Sequence, residues 1–158
     1  MRPEFDFRLT GVGWAVCTVR FGDAACEVTA SCLSDALGKL VLGAAAIASG
    51  LHAVSIGFDE EPGEYRWSVT RESATQVRVA ILEFSELWSN KPDSDGQVLL
   101  EFICDPHDFG EAVWLAASAV SQAWPDAAYV ERSGGLAFPH DAMNLLGSAL
   151  GLFRRVAT

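Results

Sequence analysis

The sequence predicts an α+β fold: a mostly antiparallel sheet of about seven strands, in the order βββα-ββββ-αα, with helices packed on one face. Three observations predict it. The stretch from Val54 to Phe84, VSIGFDEEPGEYRWSVTRESATQVRVAILEF, alternates apolar and polar residues through three runs separated by two turn signals, which is a three-stranded meander. The residues from Phe5 to Cys32 carry a second meander with the same alternation. Apolar residues at helical spacing follow each meander, which suits helices laid on an antiparallel sheet better than alternating βαβ units.

In the first strand, Phe5, Phe7 and Leu9 alternate with Asp6, Arg8 and Thr10. Gly11-Val12-Gly13 turns the chain, a second strand runs from Trp14 to Phe21, and Gly22-Asp23 is a two-residue hairpin signal. These turns set Val19 opposite Cys26, Cys17 opposite Val28 and Ala15 opposite Ala30. On the other side they set Leu9 opposite Ala15, Phe7 opposite Cys17 and Phe5 opposite Val19. Ser34-Asp35 supplies a helix N-cap, Leu37, Leu40, Val41, Ala44, Ile47 and Ala48 recur at helical spacing, and Gly50 is the stop. Gly38 and Gly43 let this helix lie close to a sheet. Being mid-helix, they do not form a phosphate-binding loop.

In the second meander, Pro62-Gly63 reverses the chain. Pairing Asp59 with Glu64 places Phe58 opposite Tyr65, Ile56 opposite Trp67 and Val54 opposite Val69, all on one face. The reversal at Glu72-Ser73-Ala74 predicts Val69 opposite Val77, Trp67 opposite Val79 and Tyr65 opposite Ile81. Ser85 to Gly96 has loop composition. Gln97 to Asp105 reads as a strand with Val98, Leu100, Phe102 and Cys104 on one face. Asp105-Pro106 opens a helix with the stripe Phe109, Val113, Ala116, Val120 and Trp124, ended by Pro125. Ala127 to Val130 is expected as a short strand. Phe138-Pro139 opens a last helix with Arg154 and Arg155 in its final turn.

With 158 residues, half of them hydrophobic, a single domain spanning 1–158 is the natural count. The formal net charge of -10 argues against a nucleic-acid partner, which requires clustered Lys and Arg. Cys17, Cys26, Cys32 and Cys104 form no CxxC pair and no histidine stands at ligand spacing, so no metal site and no cofactor are expected, and the thiols read as reduced and inert. The N-terminal residues lack a signal-peptide core, and the apolar run Leu40 to Leu51 is too short and alanine-rich for a bilayer. No membrane association is expected, and the expected location is the cytoplasm.

The phrases FRLTGVGWA, SCLSDALGKL and FDEEPGEYRW, in this order, resemble a family of small uncharacterised bacterial proteins. The resemblance covers roughly the first half of the chain and implies no activity, cofactor or site residue.

Six apolar side chains, Trp14, Val16, Leu82, Phe84, Leu99 and Ile103, project to the face opposite the helices, with Trp88 in the adjoining loop. Either the Ser85–Gly96 loop or the C-terminal segment covers them, or they form an interaction surface for a partner protein or a second copy. Asp59, Glu60, Glu61 and Glu64 cluster at a hairpin tip, where they read as solvated carboxylates that serve solubility or a rim contact, with docking of a basic partner as the alternative, rather than general acid-base chemistry. The pairs His107-Asp108 and His140-Asp141 read as helix starts, and no serine or cysteine sits in a nucleophile context. No catalytic residue is therefore expected. The favoured function is a non-enzymatic protein-interaction module, such as an immunity-type protein that neutralises a bacterial toxin. Two alternatives remain: a small-ligand binder or enzyme with a pocket lined by Tyr65, Trp67, Trp114 and Trp124, and a homodimeric protein.

Overall fold

The computed structural model describes residues 1–153, so the expected placement of Arg154 and Arg155 lies outside the described residues. It is α+β, with seven strands and four helices. Strands β1 (Glu4–Gly11), β2 (Trp14–Phe21) and β3 (Ala24–Ser31) form one antiparallel sheet. Strands β4 (Ala53–Asp59), β5 (Glu64–Ser73), β6 (Gln76–Phe84) and β7 (Gln97–Cys104) form a second. Helix α1 (Ala36–Ala48) connects the sheets, and α2 (Pro106–Ala123), α3 (Asp126–Ser133) and α4 (His140–Ala149) close the chain. The seven strands are thus divided between two sheets, and no strand of one pairs with a strand of the other.

The first meander has the register its turns dictate, including Phe7 opposite Cys17 and Val19 opposite Cys26. The β4–β5 hairpin likewise pairs Asp59 with Glu64 and Ile56 with Trp67. The β5–β6 register differs from expectation by two residues: Val69 faces Val79, Trp67 faces Ile81 and Tyr65 faces Glu83. The reversal is later and tighter than the sequence suggests, with Ser73 opposite Gln76 and an irregularity between Arg71 and Ser73. A shift of two preserves which side chains share a face, so Trp67, Val69, Val79 and Ile81 still converge. In β7 an irregularity falls between the partners of Ile81 and Leu82, skipping Leu99. Leu100, Phe102 and Cys104 are buried, but Val98 is exposed.

The expected strand at Ala127–Val130 is instead helix α3. Pro125 opens it, Asp126 occupies its first turn, and Tyr129 and Ser133 point inward four residues apart. Gly134, with φ of 85°, closes it. The Gly-Gly stop after Ser133 was the signal that outweighs the β-branched Val130.

Aromatic rings join the two sheets: Phe5 meets Trp67 at 5.4 Å, Phe7 meets Phe58 at 6.3 Å, and Phe21 stacks on Phe102 at 4.7 Å. Helix α1 packs against β4 and α2 against β1, so each sheet receives the helix that follows the other's meander or precedes its own. The approach of α1 is close, since a methyl at Gly43 would meet the Ile56 side chain at 2.6 Å. Asp35 caps α1 by accepting from the Gly38 amide at 2.9 Å, and Asp105 caps α2 by accepting from the His107 amide at 2.7 Å.

Candidate functional site

The hairpin between β4 and β5 ends in the four acidic residues singled out above, and the segment Ser85–Gly96 between β6 and β7 folds back onto it. The Leu87 amide donates to the Pro62 carbonyl at 2.8 Å, which ties this strap to the hairpin tip. Beneath the strap lie Leu82 and Phe84, 3% and 4% exposed. Gly96 rests on them so closely that a Cβ there would stand 2.8 Å from the Phe84 ring. Of the two alternatives left open for Leu82 and Phe84, the structure shows the first: the chain's own Ser85–Gly96 strap covers them, and they do not form a free interaction surface.

Arg66 holds the strap. One guanidinium donates to the Lys91 carbonyl at 2.7 Å, to Asp93 at 3.0 Å and to Glu64 at 2.6 Å, and it lies 4.1 Å from the centre of the Phe84 ring. The alternation of β5 places Arg66 on the same face as Glu64, opposite Trp67. Partial burial works against ionisation of Asp93, but hydrogen bonds from Ser68 and Arg66 and the guanidinium charge outweigh it and hold its pKa below the usual carboxylate value. Arg66 itself is raised: burial opposes its charge, and its bonds to Asp93 and Glu64 more than offset the opposition.

The tip is not four solvated carboxylates. Asp59 and Glu64 are buried, Glu60 is half-buried, and only Glu61 is exposed. Glu64 is sheltered by its pairing with Arg66, and the Asp59 carbonyl accepts from the Ser31 hydroxyl at 3.1 Å, which pins β3 to the tip. Tyr65 lies beside Glu60 and Glu83, and burial together with these two carboxylates raises its phenol pKa.

The remaining candidates are dispersed. Val16 is buried at 8%, Leu99 is half-buried at the irregularity in β7, and Ile103 stays at the surface. Trp14 is 40% exposed at the start of β2, where the neighbouring Gly13 amide donates to the Arg132 carbonyl. Trp67 is fully buried, so the two tryptophans face different surroundings. Trp88, on the strap, is 65% exposed and its φ is 55°, a backbone conformation rare for a bulky residue.

The four aromatic residues expected to line a ligand pocket do not meet in one. Trp67 belongs to the aromatic core, Tyr65 to the tip, Trp114 packs edge-on against Phe153, and Trp124 lies under Arg132. A crevice between β2, α1 and α3, bordered by Trp14, Asp35 and Tyr129, has a volume of about 20 Å³, room for a single water. At the start of α2, His107, Asp108 and Glu111 bring their ligand atoms within 4.8 Å of one another, but Arg2 already pairs with Asp108 at 3.4 Å and Glu111 at 2.9 Å. His140 pairs with Asp126 at 2.7 Å on the surface. Among the described residues, no helix is long and apolar enough to cross a membrane.

Sequence reasoning missed Arg66, Asp93 and Glu83 as members of the site. A signal was present: Arg66 shares a face with Leu82 in any register that keeps Trp67 inward, and a lone cation beside exposed apolar side chains asks for an acidic lid. No family model, curated protein or solved structure matches the chain.

Proposed function

We propose that this protein is a non-enzymatic protein-interaction module that binds a basic partner protein through its strapped acidic tip, as an immunity-type protein would bind a basic toxin. The observation that carries the reading is Trp88. A tryptophan 65% exposed stands on a strap anchored to the tip, with the exposed carboxylates of Glu61 and Asp95 on the same tip and strap, beside Glu86 and Asp93, which pair with Lys91 and Arg66. Tryptophan with its ring in the open is the residue type most enriched at the energetic centre of protein interfaces, and surrounding charge of one sign steers a partner of the other. The net charge of -10 acts in the same direction at long range. The partner need not be a nucleic acid or a membrane, and both are disfavoured by that charge.

The test is capture of binding proteins from the native cell on immobilised wild-type chain, beside Trp88→Ala and the charge reversal Glu61→Lys/Asp95→Lys. The expected result is a basic protein retained by wild type, bound roughly 30-fold more weakly by Trp88→Ala, as for an interface anchor worth about 2 kcal/mol. The charge reversal should weaken binding and reduce its salt dependence. Equal retention by all three chains, or copurification of a small metabolite instead of a protein, would refute the reading.

A further inference from the structure

We infer that the Ser85–Gly96 strap is a latched cover that opens as one unit, ahead of global unfolding, with Arg66 as its latch. Three features of the closed state point to it. The attachment is concentrated: apart from the Leu87–Pro62 hydrogen bond, the polar contacts between strap and sheet among the described residues converge on Lys91 and Asp93, with the Arg66 guanidinium reaching the Lys91 carbonyl and Asp93 and the neighbouring Ser68 donating to Asp93. The remaining bonds of the strap are internal, such as Gly96 to the Asp93 carbonyl, Asp95 to the Pro92 carbonyl, and Lys91 to Glu86. The closed conformation is also uneasy. Trp88 and Asn90 hold φ of 55° and 54°, and the Ser89 hydroxyl is buried without a partner among the described residues. Opening relieves all three, while the Trp88 ring, already mostly in water, has little burial to lose.

The surface beneath differs from the strap in stability. Leu82 and Phe84 sit on β6, a central strand paired on both sides, so the sheet persists when the strap leaves. Closed, the strap fixes Trp88 beside the acidic tip. Open, it removes Trp88 and uncovers Leu82 and Phe84. The latch therefore sets how much of the protein presents the Trp88 surface at any moment. That consequence for recognition rests on the function proposed above, whereas the opening itself belongs to the free protein and is measured without any partner.

The experiment is amide hydrogen exchange on the full chain, wild type against Asp93→Asn and Gly96→Ala. Asp93→Asn removes the ion pair across the strap and leaves Glu64 and Arg66 together. Gly96→Ala drives a methyl against the Phe84 ring in a backbone conformation that alanine accepts, with φ of -81°. The reporters are the Leu87 amide, whose bond crosses from the strap to Pro62, and the Asp95 and Gly96 amides, whose bonds close a three-residue turn too short to persist once the strap leaves the sheet. Both substitutions should speed all three amides together, by about fivefold or more, and leave the amides of β5 and β6 unchanged. Exchange of Asp95 and Gly96 alone, with Leu87 unmoved, would show that the strap is not one unit and overturn the inference. So would wild-type strap amides that exchange only at the rate of the β6 core. Neither result bears on whether a basic partner exists, and a missing partner leaves the exchange rates as they are.

Discussion

Replacing Phe84 with alanine separates a covered core residue from an open docking residue. The ring is 4% exposed, packed under Gly96 and capped by the Arg66 guanidinium. Large-to-small substitution of a buried phenylalanine costs about 3–5 kcal/mol, the transfer of the ring plus the cavity it leaves. Here the cavity roof is a loop, which collapses more readily than a sheet, and this favours the low end. The lost contact with Arg66 adds about 0.5–1 kcal/mol because that guanidinium is partly desolvated. The expected total is about 3–4 kcal/mol. For a chain of 158 residues this lowers Tm by roughly 6–16 °C, taking about 2–4 °C per kcal/mol. The assay is urea denaturation followed by far-ultraviolet circular dichroism, with the slope m compared between variants so that a shift in midpoint reports stability alone. Trp88→Ala is the internal control: its ring is mostly in solvent, so its cost stays within about 0.5 kcal/mol. A Phe84→Ala loss below about 1 kcal/mol at unchanged m would refute the strapped arrangement and return Phe84 to the surface.

Two further outcomes follow from the packing. Gly134→Ala places a Cβ 3.0 Å from the Gly13 backbone at a φ of 85° and should cost about 2 kcal/mol or more, whereas Gly135→Ala, with open space around it, should cost only its backbone strain of about 1 kcal/mol; equal midpoints for the two in denaturation would contradict the docking of α3 on the β1–β2 turn. Of the four free thiols only Cys32 is exposed, while burial pushes the Cys26 thiol up to about 11, the Cys104 thiol up to about 12, and Cys17 higher still. An aromatic disulfide reagent at neutral pH should therefore titrate a single fast thiol in the folded protein, lost in Cys32→Ser, and a second fast thiol would mean that the edge of β3 near Cys26 is open.

What was legible in the sequence was local. Asp35 and Asp105 as caps, Gly50 as a stop, and the pairings across Gly22-Asp23 and Pro62-Gly63 each depend on residues a few positions apart, where turn chemistry and alternation dictate the outcome. The division of the faces was legible for the same reason, since alternation assigns Trp67 inward and Arg66 outward before any partner strand is known. The two-residue displacement of β6 was not, because a shift of two leaves every side chain on its face and costs the pattern nothing. Helix α3 was missed because four residues of mixed propensity say less than the proline before them and the glycines after.

The amino-acid sequence by itself determined the fold class, the hairpins at Gly22-Asp23 and Pro62-Gly63, and the acidic character of the tip. Only the tertiary structure decided that the strands form two sheets joined by aromatic contacts, that Leu82 and Phe84 are covered, and that Arg66 ties the strap to the tip. The physical reason is range. A turn or a cap is settled by backbone geometry within one or two residues, whereas a loop without periodicity finds its place through contacts such as Arg66 with Asp93, 27 positions apart, that leave no repeating mark along the chain.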